Sequence, residues 1–288
     1  MKRILITGKN SYIGNSFSEW ITNDEDFYVE KVSLKDDSWK EIIFSKFDVI
    51  LHVAGIAHVS SDPKMEEHYY KVNRDLTIEV AKKAKKDGVK QFIFMSSIIV
   101  YGDSDKLDGT ISISTVPKSS NFYGNSKLQA EEGIVSLQTN NFNVVIIRPP
   151  MIYGKGSKGN YPKLAKLAKV TPVFPDFPNK RSMLHIDNLC EFIKLMIINN
   201  ESGFFFPQNK DYVCTSEMVA LIASASGKRL GLTKMFNPLI RKLLKLELVN
   251  KVFGNLIYDK QMSIYKDEYQ IRNLEESIKL TESVNWFE

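Results

Sequence analysis

Short runs rich in Ile, Val and Leu recur along the first half of the chain, at residues 2–7, 28–34, 48–54, 91–96 and 143–148. Each is too short for a buried helix and is bounded by turn-forming or charged residues, so each is predicted to be a buried strand. Between them, 12–21, 65–87 and 123–138 carry apolar residues at helical spacing beneath charged outer faces. Strands alternating with amphipathic helices predict an α/β fold: a doubly wound parallel sheet covered on both sides, with ligands at the carboxyl ends of its strands.

The pattern changes after Arg148-Pro149-Pro150. Gly154, Gly156 and Gly159 mark a loop, and Pro162, Pro172, Pro175 and Pro178 punctuate the next stretch of chain. Residues 1–150 are therefore assigned to a dinucleotide-binding domain, and 151–288 to a smaller α/β substrate lobe interleaved with it. Helices are expected at 187–199, 215–226 and 237–247, with Asp187, Thr215 and Asn237 as capping candidates. The stretch Pro238-Leu239-Ile240-Arg241-Lys242-Leu243-Leu244-Lys245-Leu246 is basic and amphipathic. Such a stretch can attach to an anionic membrane surface; packing against the second lobe is the expectation adopted.

Composition narrows the class without naming it. With 43% hydrophobic and 25% charged residues among 288, the chain is an ordinary globular protein. Its two cysteines, Cys190 and Cys214, form no CxxC and no histidine-containing metal pattern, which argues against a disulfide framework or zinc and fits a reducing cytoplasm. No apolar run reaches the length of a signal peptide or membrane span. A net charge of +5 is spread over helices rather than gathered with aromatic residues, so nucleic acid is not expected as a partner. The same mild positive field suits a small diphosphate substrate.

The first strand runs into Thr7-Gly8-Lys9-Asn10-Ser11-Tyr12-Ile13-Gly14, and a helix begins there. A glycine lets the chain leave the strand sharply, N–H groups at the helix start face a pyrophosphate, and Gly14 permits close helix–strand approach. A plain glycine turn is the blander alternative. The sequence is similar to the TGxxGxxG fingerprint of the extended short-chain dehydrogenase, or NAD-dependent epimerase/dehydratase, family, whose nucleotide-binding half is Rossmann-like. Ser11 stands where the family has its middle glycine. A negative φ there would leave the hydroxyl free to serve a phosphate, and a positive φ would cost stability.

Further segments come in the family's order. His52-Val53-Ala54-Gly55 resembles its HxAG segment, Val72-Asn73-Arg74-Asp75-Leu76-Thr77 its VNxxGT segment, and Ser96-Ser97-Ile98-Ile99-Val100-Tyr101-Gly102 its SSxxVYG segment. Tyr123-Gly124-Asn125-Ser126-Lys127 is a YxxxK, whose spacing puts phenol and ammonium on one helix face. With 12 tyrosines in a lysine-rich chain, roughly one such spacing arises by chance. Its place after the fourth strand's loop carries the assignment.

The resemblance implies Tyr123 as general acid/base, Ser97 as a hydrogen-bonding partner of the reacting oxygen, and Lys127 as the group that lowers the tyrosine pKa and grips the nicotinamide ribose. It implies NAD or NADP held by Gly8, Lys9, Asn10, Ser11, Tyr12, Ile13, Gly14, Val53, Ala54, Gly55, Asn73, Tyr123, Lys127 and Pro150. Asp36 would serve the ribose of NAD and Lys35, with Lys9, the 2′-phosphate of NADP. The choice between the two stays open. Ser97, Ile98, His58, Asn160 and Arg181 are assigned to substrate, with Arg181 on the diphosphate.

Family dehydratases carry an Asp-Glu pair after the catalytic serine or threonine, and 3,5-epimerases a cysteine two positions on; here Ile98 and Ile99 stand instead. The resemblance then leaves redox chemistry at one sugar carbon, C4. The leading expectation is a 4-ketoreductase of a UDP-linked 4-keto-6-deoxy-N-acetylhexosamine. A UDP-hexose 4-epimerase is the alternative, and a non-catalytic dinucleotide sensor a third. A homodimer is expected from the family alone.

Overall fold

The computed structural model describes residues 1–57, 62–102, 109–119 and 121–283. Its frame is a six-stranded sheet built from β1 (Lys2–Thr7), β2 (Phe27–Val32), β3 (Val49–His52), β4 (Gln91–Met95), β6 (Asn143–Ile147) and β10 (Gly203–Phe205). The strands lie in the order β10-β6-β4-β3-β1-β2, every pairing parallel. Parallel strands need crossovers, and helices supply them: α1 (Tyr12–Trp20), the run α2 (Glu66–Tyr69), a π turn (Tyr70–Asp75) and α3 (Leu76–Lys86), then α4 (Phe122–Val135).

Burial explains which runs became strands. β3 and β4 are buried at every position, as expected where helices cover both faces. The edge strand β2 instead alternates in exposure. Side chains from one sheet face pack with Phe17 of α1 and Leu189, Phe192, Ile193 and Met196 of α6 (Ile186–Ile198). The opposite face packs with Val80, Ala81 and Ala84 of α3 and Ala130 and Ile134 of α4. The chain winds from β1 to β2 on one side and from β3 outward on the other, so the strand order reverses between β1 and β3 and opens a crevice at their carboxyl ends.

Residues beyond 150 divide between two tasks. α6 and β10 complete the first layer, whereas β7 (Met151–Tyr153), α5 (Asn160–Val170), β8 (Val173–Pro175), β9 (Met183–His185), α7 (Thr215–Ala225), β11 (Gly231–Thr233), α8 (Asn237–Leu243), α9 (Glu247–Phe253) and α10 (Leu274–Glu282) build a lobe. Its core gathers Tyr153, Tyr161, Phe174, Met183, Met218, Val219 and Ile222. β5 (Thr110–Ile111) and β12 (Ile257–Tyr258) pair beside the first domain.

Several boundaries differ from the sequence reading. The helix expected over 237–247 is two short helices with Leu246 extended between them. Helix 65–87 contains the π turn, which hydrophobic spacing does not register. The capping candidates are displaced: His185, not Asp187, caps α6, its ring accepting from the Asp187 N–H. Cys214 and Phe236 precede α7 and α8, so Thr215 and Asn237 lie inside the helices. Thr215 donates to the Val252 carbonyl and Asn237 to the Asp176 carbonyl, so both hold tertiary contacts.

Candidate active site

The crevice begins at the turn after β1. Gly8 has φ +93°, and a Cβ there would lie 3.0 Å from the Ala54 backbone, so the turn lies directly against the segment after β3. The Gly8 and Lys9 N–H groups donate to the Val32 carbonyl at 2.9 and 3.0 Å, which binds the same turn to the end of β2. Ser11 has φ −73° and ψ 141°, so no glycine is required at this position. Its Oγ accepts from the Gly14 N–H at 3.0 Å and caps α1, and its own hydroxyl proton remains to be donated. The first N–H groups of α1, from Tyr12 and Ile13, have no intrahelical acceptor. Gly14 admits no side chain, because a Cβ would come within 2.8 Å of Ile6 Cγ2.

The floor is a buried polar chain. Thr77 Oγ1 donates to the Asn73 carbonyl at 2.8 Å, so it must accept from His52 Nε2 at 3.0 Å. His52 Nδ1 is then an acceptor for Thr7 Oγ1 at 2.8 Å. Burial holds the ring neutral, with its pKa pushed down to about 3. Asn73, placed by the π turn, accepts from the Ile56 N–H and donates to the Ile56 carbonyl and to Ser126 Oγ. Its amide is engaged with protein, and it positions the Gly55-Ile56 loop against α4.

Ser97, Tyr123 and Lys127 converge, as their placement on β4's end and α4 requires. Ser97 caps the turn 98–101 by accepting from the Ile99 N–H at 3.3 Å, and its side chain faces the Tyr123 phenol and favours its ionised form. Gly124 makes this approach possible: a Cβ there would lie 2.7 Å from the Ile99 carbonyl oxygen. Burial pushes the Tyr123 phenol up to about 12, opposed by Ser97. Lys127 Nζ donates to the Met95 carbonyl at 2.9 Å, sits 4.6 Å above the Phe94 ring, and would lie 3.2 Å from a Cβ on Gly55. Burial lowers it to about 8. Lys127 is thereby tied to the end of β4.

Beneath it lies a network that motif matching missed. Glu131, four residues beyond Lys127, is buried and accepts from Ser96 Oγ and from Arg148 in a two-pronged pair, the closest Arg148 contact 2.6 Å. Arg148 also donates to Tyr101 at 2.8 Å, and Tyr258 donates to the Arg148 carbonyl at 2.9 Å. The signal was the repeat of the four-residue spacing from Tyr123 through Lys127 to Glu131. An acid on a helix with a charged outer face gives no hint of an arginine 17 residues on.

The other assigned residues take varied places. Ile98 is buried with Val100, Ile111, Phe206 and Tyr258, so its side chain belongs to a packed cluster; Ile99 is the partly exposed neighbour. Pro150 is buried next to Pro149, whose carbonyl accepts from the Ile98 N–H at 2.9 Å. Asp36 is held by the Ser38 N–H and hydroxyl as the cap of the turn 37–41, while Lys9 and Lys35 are both exposed, just beyond the ends of β1 and β2. Asn160 is exposed at the start of α5. Arg181 is half-buried, bridges by its backbone to Val213 and Leu256, and donates to the Gly254 carbonyl at 3.0 Å. His58 lies outside the described residues.

The crevice fits a dinucleotide on its own chemistry: a helix start supplying donors, glycines where a Cβ would collide, and a lysine ammonium beside a bare glycine. Comparison with known proteins agrees. The model of the NAD dependent epimerase/dehydratase family matches residues 4–213. A UDP-glucose 4-epimerase of Vibrio cholerae is 31% identical over 289 residues, covering 90% of this chain and 87% of that protein. An N-acetyl-alpha-D-glucosaminyl-diphospho-ditrans,octacis-undecaprenol 4-epimerase of Escherichia coli O157:H7 is 28% identical, covering 82% and 76%. The fold resembles a dTDP-4-dehydrorhamnose reductase of Bacillus anthracis solved with NADP, with a TM-score of 0.73, 18% identity and 98% of both chains covered.

Proposed function

We propose, for a chain that belongs to the NAD dependent epimerase/dehydratase family and is an NAD(P)-dependent nucleotide-sugar epimerase or reductase, that its reaction is redox chemistry at sugar C4 in the service of 4-epimerisation. The observation that carries the reading is Ser97 facing the Tyr123 phenol, flanked by Ile98 and Ile99 where a further acid and base would be needed for elimination. One hydroxyl relay serves one oxygen; elimination of water would call for a further acid and base beside it. The 4-epimerases among the relatives support the same carbon.

The bound dinucleotide supplies the hydride acceptor and donor. Tyr123 takes the proton of the C4 hydroxyl as the ketone forms and returns it as the alcohol is restored. Ser97 hydrogen-bonds the reacting oxygen in both directions. As a donor, the buried phenol is already protonated. As an acceptor it must become phenolate, which the Ser97 hydroxyl stabilises. Lys127 fixes the end of β4 and offers its ammonium to the nicotinamide ribose, and Arg181 takes the diphosphate. Gly8, Ser11, Tyr12, Ile13 and Gly14 hold the pyrophosphate.

The 4-ketoreductase of a UDP-linked 4-keto-6-deoxy-N-acetylhexosamine uses the same half-reaction. The exposed Lys9 and Lys35, suited to a 2′-phosphate, favour it as the second reading. One pair of assays separates the two. An epimerase interconverts UDP-hexoses at catalytic cofactor, whereas a ketoreductase consumes NADH or NADPH stoichiometrically with the keto sugar and leaves UDP-hexoses untouched. Failure of both would return the chain to dinucleotide sensing. The homodimer expected from the family is likewise a proposal, for light scattering to decide.

A further inference from the structure

The second lobe carries a surface that the proposed chemistry does not use. Among the described residues, nine of the twenty exposed large hydrophobics fall in two segments of this lobe, 167–173 and 232–248, with Met235, Phe236, Leu239, Leu246 and Leu248 in the second. The two segments are joined in space. β8 pairs with β11, the Asp176 N–H donates to the Thr233 carbonyl, and Asn237 donates to the Asp176 carbonyl. Leu248 and Met235 are 78% and 75% exposed, far beyond what a packed helix pair leaves open. The packing expected of the 238–246 stretch holds for Ile240, which is buried, and fails for Leu239 and Leu246.

The charge of this surface is one-sided. Residues 228–246 contain Lys228, Arg229, Lys234, Arg241, Lys242 and Lys245 and no carboxylate, so this short stretch outweighs the whole chain's net charge of +5 and leaves the remainder nearly neutral. Arg229, Arg241, Lys242 and Lys245 are exposed and form no ion pair among the described residues. A second copy of this chain is a poor occupant, because a two-fold contact would set cations against cations. Nucleic acid is poorly matched by leucines standing clear of the surface. Exposed leucines and a phenylalanine among lysines and arginines match a bilayer interface, where apolar side chains enter the acyl boundary and cations meet anionic headgroups.

We propose that the face formed by the end of α5, β11, α8 and α9 docks this protein peripherally on an anionic membrane. The face adjoins Arg181, proposed above to hold the diphosphate: Arg181 donates to the carbonyl of Gly254, the residue that ends α9. Docking therefore places Arg181 near the membrane surface.

The test is co-sedimentation of the full chain with phosphatidylcholine vesicles, with and without phosphatidylglycerol. Binding is expected only with the anionic lipid and to weaken as salt rises. The triple variant R241Q/K242Q/K245Q should bind roughly 100-fold more weakly, at about fivefold per cation. A second variant, L239S/L248S, should lose the salt-resistant part of binding. Both should keep the thermal midpoint of the natural chain, since these side chains are exposed. No binding to anionic vesicles by the natural chain, or undiminished binding by the triple variant, would overturn the proposal. So would a change of oligomeric state in L239S/L248S, which would assign the face to a second copy.

Discussion

At the residue scale the chemistry rests on a few side chains whose surroundings set their proton affinity. Tyr123→Phe removes the proposed proton relay at the reacting oxygen. Turnover should fall by at least about 100-fold, with cofactor affinity nearly unchanged by fluorescence titration; unchanged turnover would refute the proposed mechanism. Lys127 illustrates the conflict between function and stability. Its ammonium is buried and depressed to about 8, so the charged form costs free energy at neutral pH. Lys127→Met should stabilise the cofactor-free fold by about 1 kcal/mol, read as a higher urea midpoint, while activity is lost. Ser11 behaves as a cap: Ser11→Ala should cost about 1 kcal/mol and Ser11→Gly only a few tenths. Motif comparison flagged Ser11 as a departure without showing that its φ is negative.

At the element scale, α4 matters most. It carries Tyr123 and Lys127 to the crevice and Glu131 beneath it. Glu131→Gln leaves the Arg148 guanidinium buried with a neutral partner and should cost about 3 kcal/mol, checked by chemical denaturation. Gly124→Ala drives a methyl group into the Ile99 carbonyl. Its cost of about 1–3 kcal/mol should come with a loss of turnover larger than the loss of cofactor binding, because the Ser97–Tyr123 contact is what shifts. The strands and the three helices of the first domain were legible because burial imposes a period. The π turn at Tyr70–Asp75 and the break between α8 and α9 were not, since one extra residue in a turn leaves apolar spacing almost intact.

At the scale of the whole molecule, two buried histidines link folding to pH. His52 and His185 are held neutral, at about 3 and about 4, against an ordinary 6.5 in the unfolded chain. Below 6.5 the unfolded chain therefore binds more protons, and stability falls as pH falls toward those values, by at most about 1.4 kcal/mol per pH unit for each ring. Urea midpoints between pH 6.5 and 5 should decline by the equivalent of about 3 kcal/mol. A flat profile would mean that both rings accept protons in the folded state. Among the described residues no helix is long and apolar enough to cross a membrane, so the attachment proposed for the second lobe is through a surface.

By itself the sequence determined the layered α/β plan, and it singled out the glycine turn after β1 and the proposed Ser97, Tyr123 and Lys127. These depend on local spacing, which side-chain periodicity and backbone geometry fix within a few residues. Only the tertiary structure decided that Lys127 is tied to Met95, that Asn73 is occupied by Ile56, that Ile98 is buried while Ile99 is partly exposed, and that Glu131 holds Arg148. Each of these depends on residues from different elements meeting. Such contacts are set by how helices seat against the sheet, and no pattern along one strand or helix encodes its neighbour.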